Sequence, residues 1–106
     1  MKRRLFTYSA IMIGSLSLIS GSCEKKEISC NDTVSTYETN IKPIIDANCI
    51  GCHKKFSTYA GLQSIINNGE FEHEVLVKRS MPQGKSLTME ELVSIKCWLD
   101  NGAAEK

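Results

Sequence analysis

What the chain lacks narrows the field first. It has no excess of one charge: thirteen Lys and Arg against twelve Asp and Glu leave a formal +1. That balance makes no electrostatic case for nucleic acid or for a polybasic membrane patch. It has no G-x-G-x-x-G, and 106 residues leave no room for two βαβ halves, so a doubly wound dinucleotide-binding fold and a multidomain enzyme are both excluded. There is no internal repeat, and strand-type alternation is poor. No apolar run reaches the roughly 20 residues that cross a bilayer. Histidine occurs only at His53 and His73. An apolar content of 42% nevertheless argues against a disordered chain. Against these shortages stand five cysteines, an unusual number for one small domain.

The first cysteine closes a leader. Lys2, Arg3 and Arg4 precede an uncharged, largely apolar stretch from Leu5 to Ile19, and Ser20, Gly21 and Ser22 lead to Cys23. A basic head, an apolar middle and a small-residue end describe a secretory signal peptide over residues 1–22. A cysteine directly after the small residues resembles the lipobox of bacterial lipoproteins, with Ser20 where Leu is usual. The resemblance implies cleavage before Cys23 and acylation of its thiol. More than one acyl chain would hold the protein stably on a membrane. The mature chain is then residues 23–106 with a formal charge of −2. Residues 23–35 read as a polar, lipid-anchored tether and residues 36–106 as the folded domain. Export to the periplasm or cell surface places the remaining thiols in an oxidising compartment.

Cys49-Ile50-Gly51-Cys52-His53 is C-x-x-C-H, the pattern of covalent c-type haem attachment. Two thiols three positions apart on a helical turn reach the two vinyl groups of one porphyrin edge. The next residue, His53, is carried under the ring as proximal iron ligand. Three other chemistries share parts of the pattern. A thioredoxin-type dithiol needs a central sheet. A zinc site needs two further ligands, which only His73 and the other cysteines offer. A plain disulfide leaves His53 without a role. A second iron ligand is expected downstream, and Ser80-Met81-Pro82-Gln83-Gly84 offers it. The Met81 thioether is a soft, neutral ligand, and Pro82 restricts the backbone that presents it. The bland alternative is a buried core Met. His73 lies between Glu72 and Glu74, which suggests an exposed face, and Met89 falls in the first turn of a predicted helix.

The scaffold reads as helical. Val34, Tyr37, Ile41, Ile44, Ile45 and Asn48 are spaced for a helix over 34–48, which Pro43 should kink or divide. Ser57 is positioned to cap a helix over 58–67, with Leu62, Ile65 and Ile66 as its apolar face and Asn68-Gly69 as its stop. Phe71 to Lys78 suggests a short helix or turn with Phe71, Val75 and Leu76 inward. Thr88 and Glu91 form a capping box for a helix over 89–101 ending at Gly102, with Leu92, Ile95 and Leu99 as a stripe and Trp98 at its flank.

Together these features resemble a small bacterial class I cytochrome c over roughly residues 36–104. The matching stretches are Tyr37 with Ile41-Lys42-Pro43-Ile44-Ile45 leading into the Cys49–His53 motif, then Met81-Pro82, then Ile95-Lys96-Cys97-Trp98-Leu99-Asp100-Asn101-Gly102-Ala103. The resemblance implies an all-α fold of four or five short helices around one covalent haem c. It implies thioether anchors at Cys49 and Cys52, axial ligands His53 and Met81, and no catalytic residues. So small a domain needs a staple, which the haem would provide, so the apo-protein should be poorly folded. The family crosses its first and last helices at one haem edge, a contact that suits Tyr37 and Trp98. Cys30, just before the first helix, and Cys97, in the last, are then a possible disulfide, with two separate thiols as the alternative.

The implied function is that of a membrane-tethered one-electron carrier, not an enzyme, meeting redox donors and acceptors in small transient contacts. Two other readings stay open. One is a haem protein with an open sixth site for gas or peroxide. The other is a non-haem lipoprotein whose cysteines form disulfides.

Overall fold

The computed structural model describes residues 25–106, so the leader over 1–22 and the acylation expected at Cys23 lie outside the described residues. Among the described residues every regular element is helical. That agrees with an all-α domain and leaves no sheet on which to build a thioredoxin-type site.

The first helical stretch divides at its proline. Tyr37–Ile41 is a π-turn, and α1 follows over Lys42–Asn48 with Pro43 in its first turn. Pro43 has no N–H to give an α-helical bond. The turn before it is one residue wider, with Ile41 N–H donating to the Thr36 carbonyl at 3.2 Å and Lys42 N–H to Tyr37. The helix starts three residues later than the apolar spacing predicts. Thr36 is extended, its N–H donates to Asn40 Oδ1 at 2.9 Å, and Val34 is exposed.

A 3₁₀ turn over Lys54–Ser57 precedes α2, Tyr59–Asn67. That turn takes up Ser57, and the cap moves to Thr58, whose hydroxyl accepts from Gly61 N–H at 3.1 Å. Gly69, at φ +78°, stops α2 as expected. Next comes α3, Glu70–Glu72, which runs on into a second π-turn, His73–Val77; Phe71, Val75 and Leu76 are buried as predicted.

The last helix, α4, is Met89–Asp100. Thr88 and Glu91 make both bonds of the capping box, Glu91 N–H donating to Thr88 at 3.1 Å and Thr88 N–H to the Glu91 carboxylate at 2.8 Å. At the other end Ala103 N–H donates to Trp98 and Gly102 N–H to Leu99, a Schellman closure that needs Gly102 at φ +97°. The stripe differs from expectation in one respect. Trp98 is 2% exposed and sits with Leu92 and Ile95 in the core, whereas Leu99 is only half-buried.

Tyr37 and Trp98 meet with ring centroids 5.9 Å apart, and Tyr59 packs edge-on to Tyr37 at 5.2 Å. The π-turn before α1, α2 and α4 are thereby joined through one aromatic cluster. Tyr59 OH and Trp98 Nε1 donate to the carbonyls of Ala103 and Ala104, which pins the C-terminal residues over it. Cys30 and Cys97 are disulfide-bonded across 67 positions, with Cα atoms 4.8 Å apart, inside the usual disulfide range. The stretch read as a tether is therefore packed on the domain from at least Ile28, which is itself buried in the core.

Candidate functional site

The C-x-x-C-H run leaves the end of α1 as one more turn. Cys49 caps the helix, and its carbonyl accepts from Cys52 N–H at 3.3 Å and from His53 N–H at 2.9 Å. Both thiols are unbonded, Cys49 half-buried and Cys52 exposed. Burial pushes the Cys49 thiol above its ordinary pKa, against the smaller opposite pull of the Lys85 ammonium.

The 3₁₀ turn beyond His53 holds it in place. The His53 carbonyl accepts from Phe56 N–H at 2.9 Å, and the Phe56 ring stacks on the imidazole at a centroid distance of 4.9 Å. Phe56 is buried, so the imidazole rests on a fixed surface. Gly61 permits the turn that places it. A Cβ at residue 61 would lie 1.7 Å from the Lys55 carbonyl oxygen.

Met81 arrives from the other side on the loop between α3 and α4. The loop is anchored where it leaves the π-turn: Ser80 N–H and Met81 N–H donate to the Glu74 carbonyl at 3.0 and 3.4 Å, and the Ser80 hydroxyl donates to the Glu74 carboxylate. That hydroxyl, with the Lys78 ammonium second, holds the Glu74 carboxyl below its usual pKa. Lys85 fastens the loop to the motif helix by donating to the Ala47 carbonyl at 2.9 Å. The Met81–Pro82 peptide is cis.

These pieces enclose one site. Cys49, Cys52, His53 and Met81, with Asn48 and Pro82, line a cleft of about 230 Å³. It continues past Cys49, His53 and Met81 into a smaller recess floored by Phe56, Ile65, Phe71 and Val75. The structure thus brings together the four residues singled out from the motif and the Met-Pro loop. His73 is exposed and lines neither part of the cleft, and Met89 is exposed at the start of α4. Cys30 and Cys97 are held in their disulfide. Among the described residues no three His, Cys, Asp or Glu side chains gather as a metal cluster. The four-ligand zinc arrangement is not assembled. Phe56, Gly61 and Lys85 were not singled out from the sequence. Phe56 alone had a local signal, an aromatic residue one turn after the motif histidine.

The chemistry available is that of two thiols, an imidazole and a thioether lining one cleft, with apolar side chains and the carboxylates of Glu70 and Glu74 at its inner recess. No known family, curated protein or solved structure matches the chain.

Proposed function

We propose that the chain is a single-haem c-type cytochrome, similar in fold to the small class I cytochromes c, that carries one electron at a time between redox proteins outside the cytoplasm. The observation that carries this reading is the shared cleft. The unbonded Cys49 and Cys52, His53 and Met81 line it together, while the other described cysteines are bonded to each other. The donor set fits a haem: two thiols for thioether bonds, a neutral imidazole and a soft thioether for iron, and aromatic and branched apolar side chains for the ring.

Bound haem would supply a one-electron iron couple. The residues of this chain do the rest. Cys49 and Cys52 fix the group covalently. Phe56 backs the His53 imidazole and limits its rotation. The bonds of Ser80, Met81 and Lys85 hold the loop that presents the Met81 sulfur. A thioether at that position raises the potential relative to a second imidazole and fills the site that a gas or peroxide would need. Phe56, Ile65, Phe71 and Val75 would pack on the ring, with Glu70 and Glu74 at the same recess. No general acid or base is required, and no substrate is transformed.

Acylation of Cys23 after removal of residues 1–22 would tether the carrier to a membrane facing the periplasm or the cell exterior. No helix among the described residues is long and apolar enough to cross a membrane.

The deciding experiment is a reduced-minus-oxidised visible spectrum of protein matured with a haem-attachment system, read with the weak thioether-to-ferric-iron band in the near-infrared. The expected result is a low-spin c-type spectrum with that band, lost in Met81→Ala. A c-type spectrum without the band would turn the reading to an open sixth site and ligand binding. Absence of covalent haem would overturn it in favour of a disulfide-bonded lipoprotein.

A further inference from the structure

The near-zero net charge conceals an uneven distribution. Lys25 and Lys26 are 53 positions from Lys78 and Arg79, yet the fold joins them. The Lys25 ammonium donates to the Lys78 carbonyl, and the Arg79 guanidinium donates to the Lys26 carbonyl. Arg79 Nε also donates to the Leu76 carbonyl at 3.4 Å. Two of these bonds satisfy carbonyls at the end of the second π-turn, those of Leu76 and Lys78, and the third satisfies the Lys26 carbonyl of the N-terminal stretch. A carbonyl accepts a hydrogen bond without cancelling the charge of its donor, so Lys25, Lys26 and Arg79 keep their charge beside Lys78, which is paired with Glu74. Three acids lie nearby, and one of them, Glu24, directly precedes Lys25 in the sequence. Glu74 is already engaged by Ser80 and by Lys78, the latter at 3.4 Å, and Glu27 is exposed beside Lys26. Among the described residues Lys25, Lys26 and Arg79 take part in no ion pair. Val77, in the same turn, is 60% exposed, one of three large apolar side chains so placed.

We propose that this patch seats the domain on a bilayer surface rich in anionic headgroups. Lys and Arg near such a surface are attracted to it individually, and an exposed apolar side chain among them can enter the interface. The position of the patch favours the same seat. The chain runs from it to Cys23 within two residues of Lys25, so an acyl chain there would enter the bilayer beside the cations. This step rests on the lipid-anchor reading above. A lipid alone sets distance from the membrane, whereas the patch sets orientation. Arg79 and Met81 both line a pocket next to the cleft, so the patch lies close to the loop that carries Met81. The sequence offers no such patch, because its two halves are separated by most of the domain.

The test uses the mature protein as isolated, mixed with or incorporated into vesicles of phosphatidylcholine alone or with phosphatidylglycerol. A brief amine-acetylation pulse is read lysine by lysine in a mass spectrometer. In the anionic vesicles Lys25, Lys26 and Lys78 should react several-fold more slowly than in neutral ones. High salt should abolish the difference. Lys54 and Lys55, both exposed after the motif, should react equally in the two lipids. A Lys25→Gln/Lys26→Gln variant should lose most of the protection at Lys78. Equal reactivity of the patch in both lipids, or protection unaffected by salt, would overturn the proposal. The mass of the N-terminal peptide in the same spectra reports acylation separately. If Cys23 is not acylated the anchor reading fails, and the patch is still judged by the same lysines on vesicles added from outside.

Discussion

Removal of the Cys30–Cys97 cross-link should cost this domain a large share of its stability. The bond spans 67 positions. In the chain-entropy model a loop of that length removes about 15 cal/mol/K from the unfolded ensemble, or about 4 kcal/mol at 25 °C. Small domains have about 5–15 kcal/mol in all. A second loss accompanies the first. Residues 25–35 form no helix, and their hold on the domain is Ile28 in the core, the disulfide, and a few hydrogen bonds from Lys25, Lys26 and their partners. Without the bond this stretch can leave, exposing Ile28 and its neighbours. The perturbation should be Cys30→Ala with Cys97→Ala together, because a single replacement leaves a thiol able to pair with Cys49 or Cys52. The assay is urea denaturation followed by circular dichroism. With a slope of about 1 kcal/mol/M for so small a domain, the midpoint should fall by about 4 M. Chemical reduction of the unmodified protein should give a similar shift, because Cys30–Cys97 is the disulfide among the described cysteines. A midpoint that moves by less than about 1 M, under about 1 kcal/mol, would show that the cross-link does not constrain the unfolded chain as reasoned.

Further predictions concern the supports of the cleft. Gly61→Ala must push α2 away from the Lys55 carbonyl. It should cost about 1–3 kcal/mol, seen as a fall of several degrees in thermal midpoint; an unchanged midpoint would mean that the turn after His53 adjusts freely. Ser80→Ala removes the hydroxyl that does most to lower the Glu74 pKa, which should rise toward the ordinary carboxylate value in an NMR titration. The sign is set by the lowered folded-state value: this contact stabilises the fold above the ordinary carboxylate range and is lost as pH falls through the folded-state pKa. Acid should then loosen the loop bearing Met81, and a near-infrared band equally persistent in acid with and without Ser80 would contradict that link.

The parts legible in the sequence are those written within a few neighbouring residues. Thr88 and Glu91 mark the start of α4, and Gly69 and Gly102 the ends of α2 and α4, because each acts within one turn. Apolar spacing placed Ile41, Ile45, Leu62 and Ile95 inside. The two π-turns were not legible. Widening a turn by one residue leaves nearly the same side chains facing inward, so the apolar pattern does not register it. Ser57 and Thr58 are adjacent hydroxyls of equal capping chemistry, and only the 3₁₀ turn after His53 decides between them. The motif half of the cleft was visible as five consecutive residues. Its floor was not, since Phe56, Ile65, Phe71 and Val75 come from three separate segments and each reads as ordinary core. The packing of residues 25–35 was hidden for the same reason: one isoleucine and one cysteine in a polar stretch have no period, and the partner of Cys30 lies in α4.

The cysteines show how the fold sorts groups that composition cannot. All four in the described chain could pair in an oxidising compartment, and Cys49 and Cys52 are far nearer each other in sequence than Cys30 and Cys97. Thiol–disulfide exchange needs a thiolate with access to a sulfur. Cys97 is fully buried, so once α4 is packed its sulfur is shielded from attack. Cys49 is half-buried, and that burial raises its pKa and so disfavours the reactive thiolate. Cys52 is exposed but sits one turn along, at the lip of the cleft. Folding thus separates a protected staple from a pair of thiols left open to chemistry in the cleft. A cofactor attached through Cys49 and Cys52 then competes with no native disulfide, and the staple can hold the two ends of the domain together before and after that attachment.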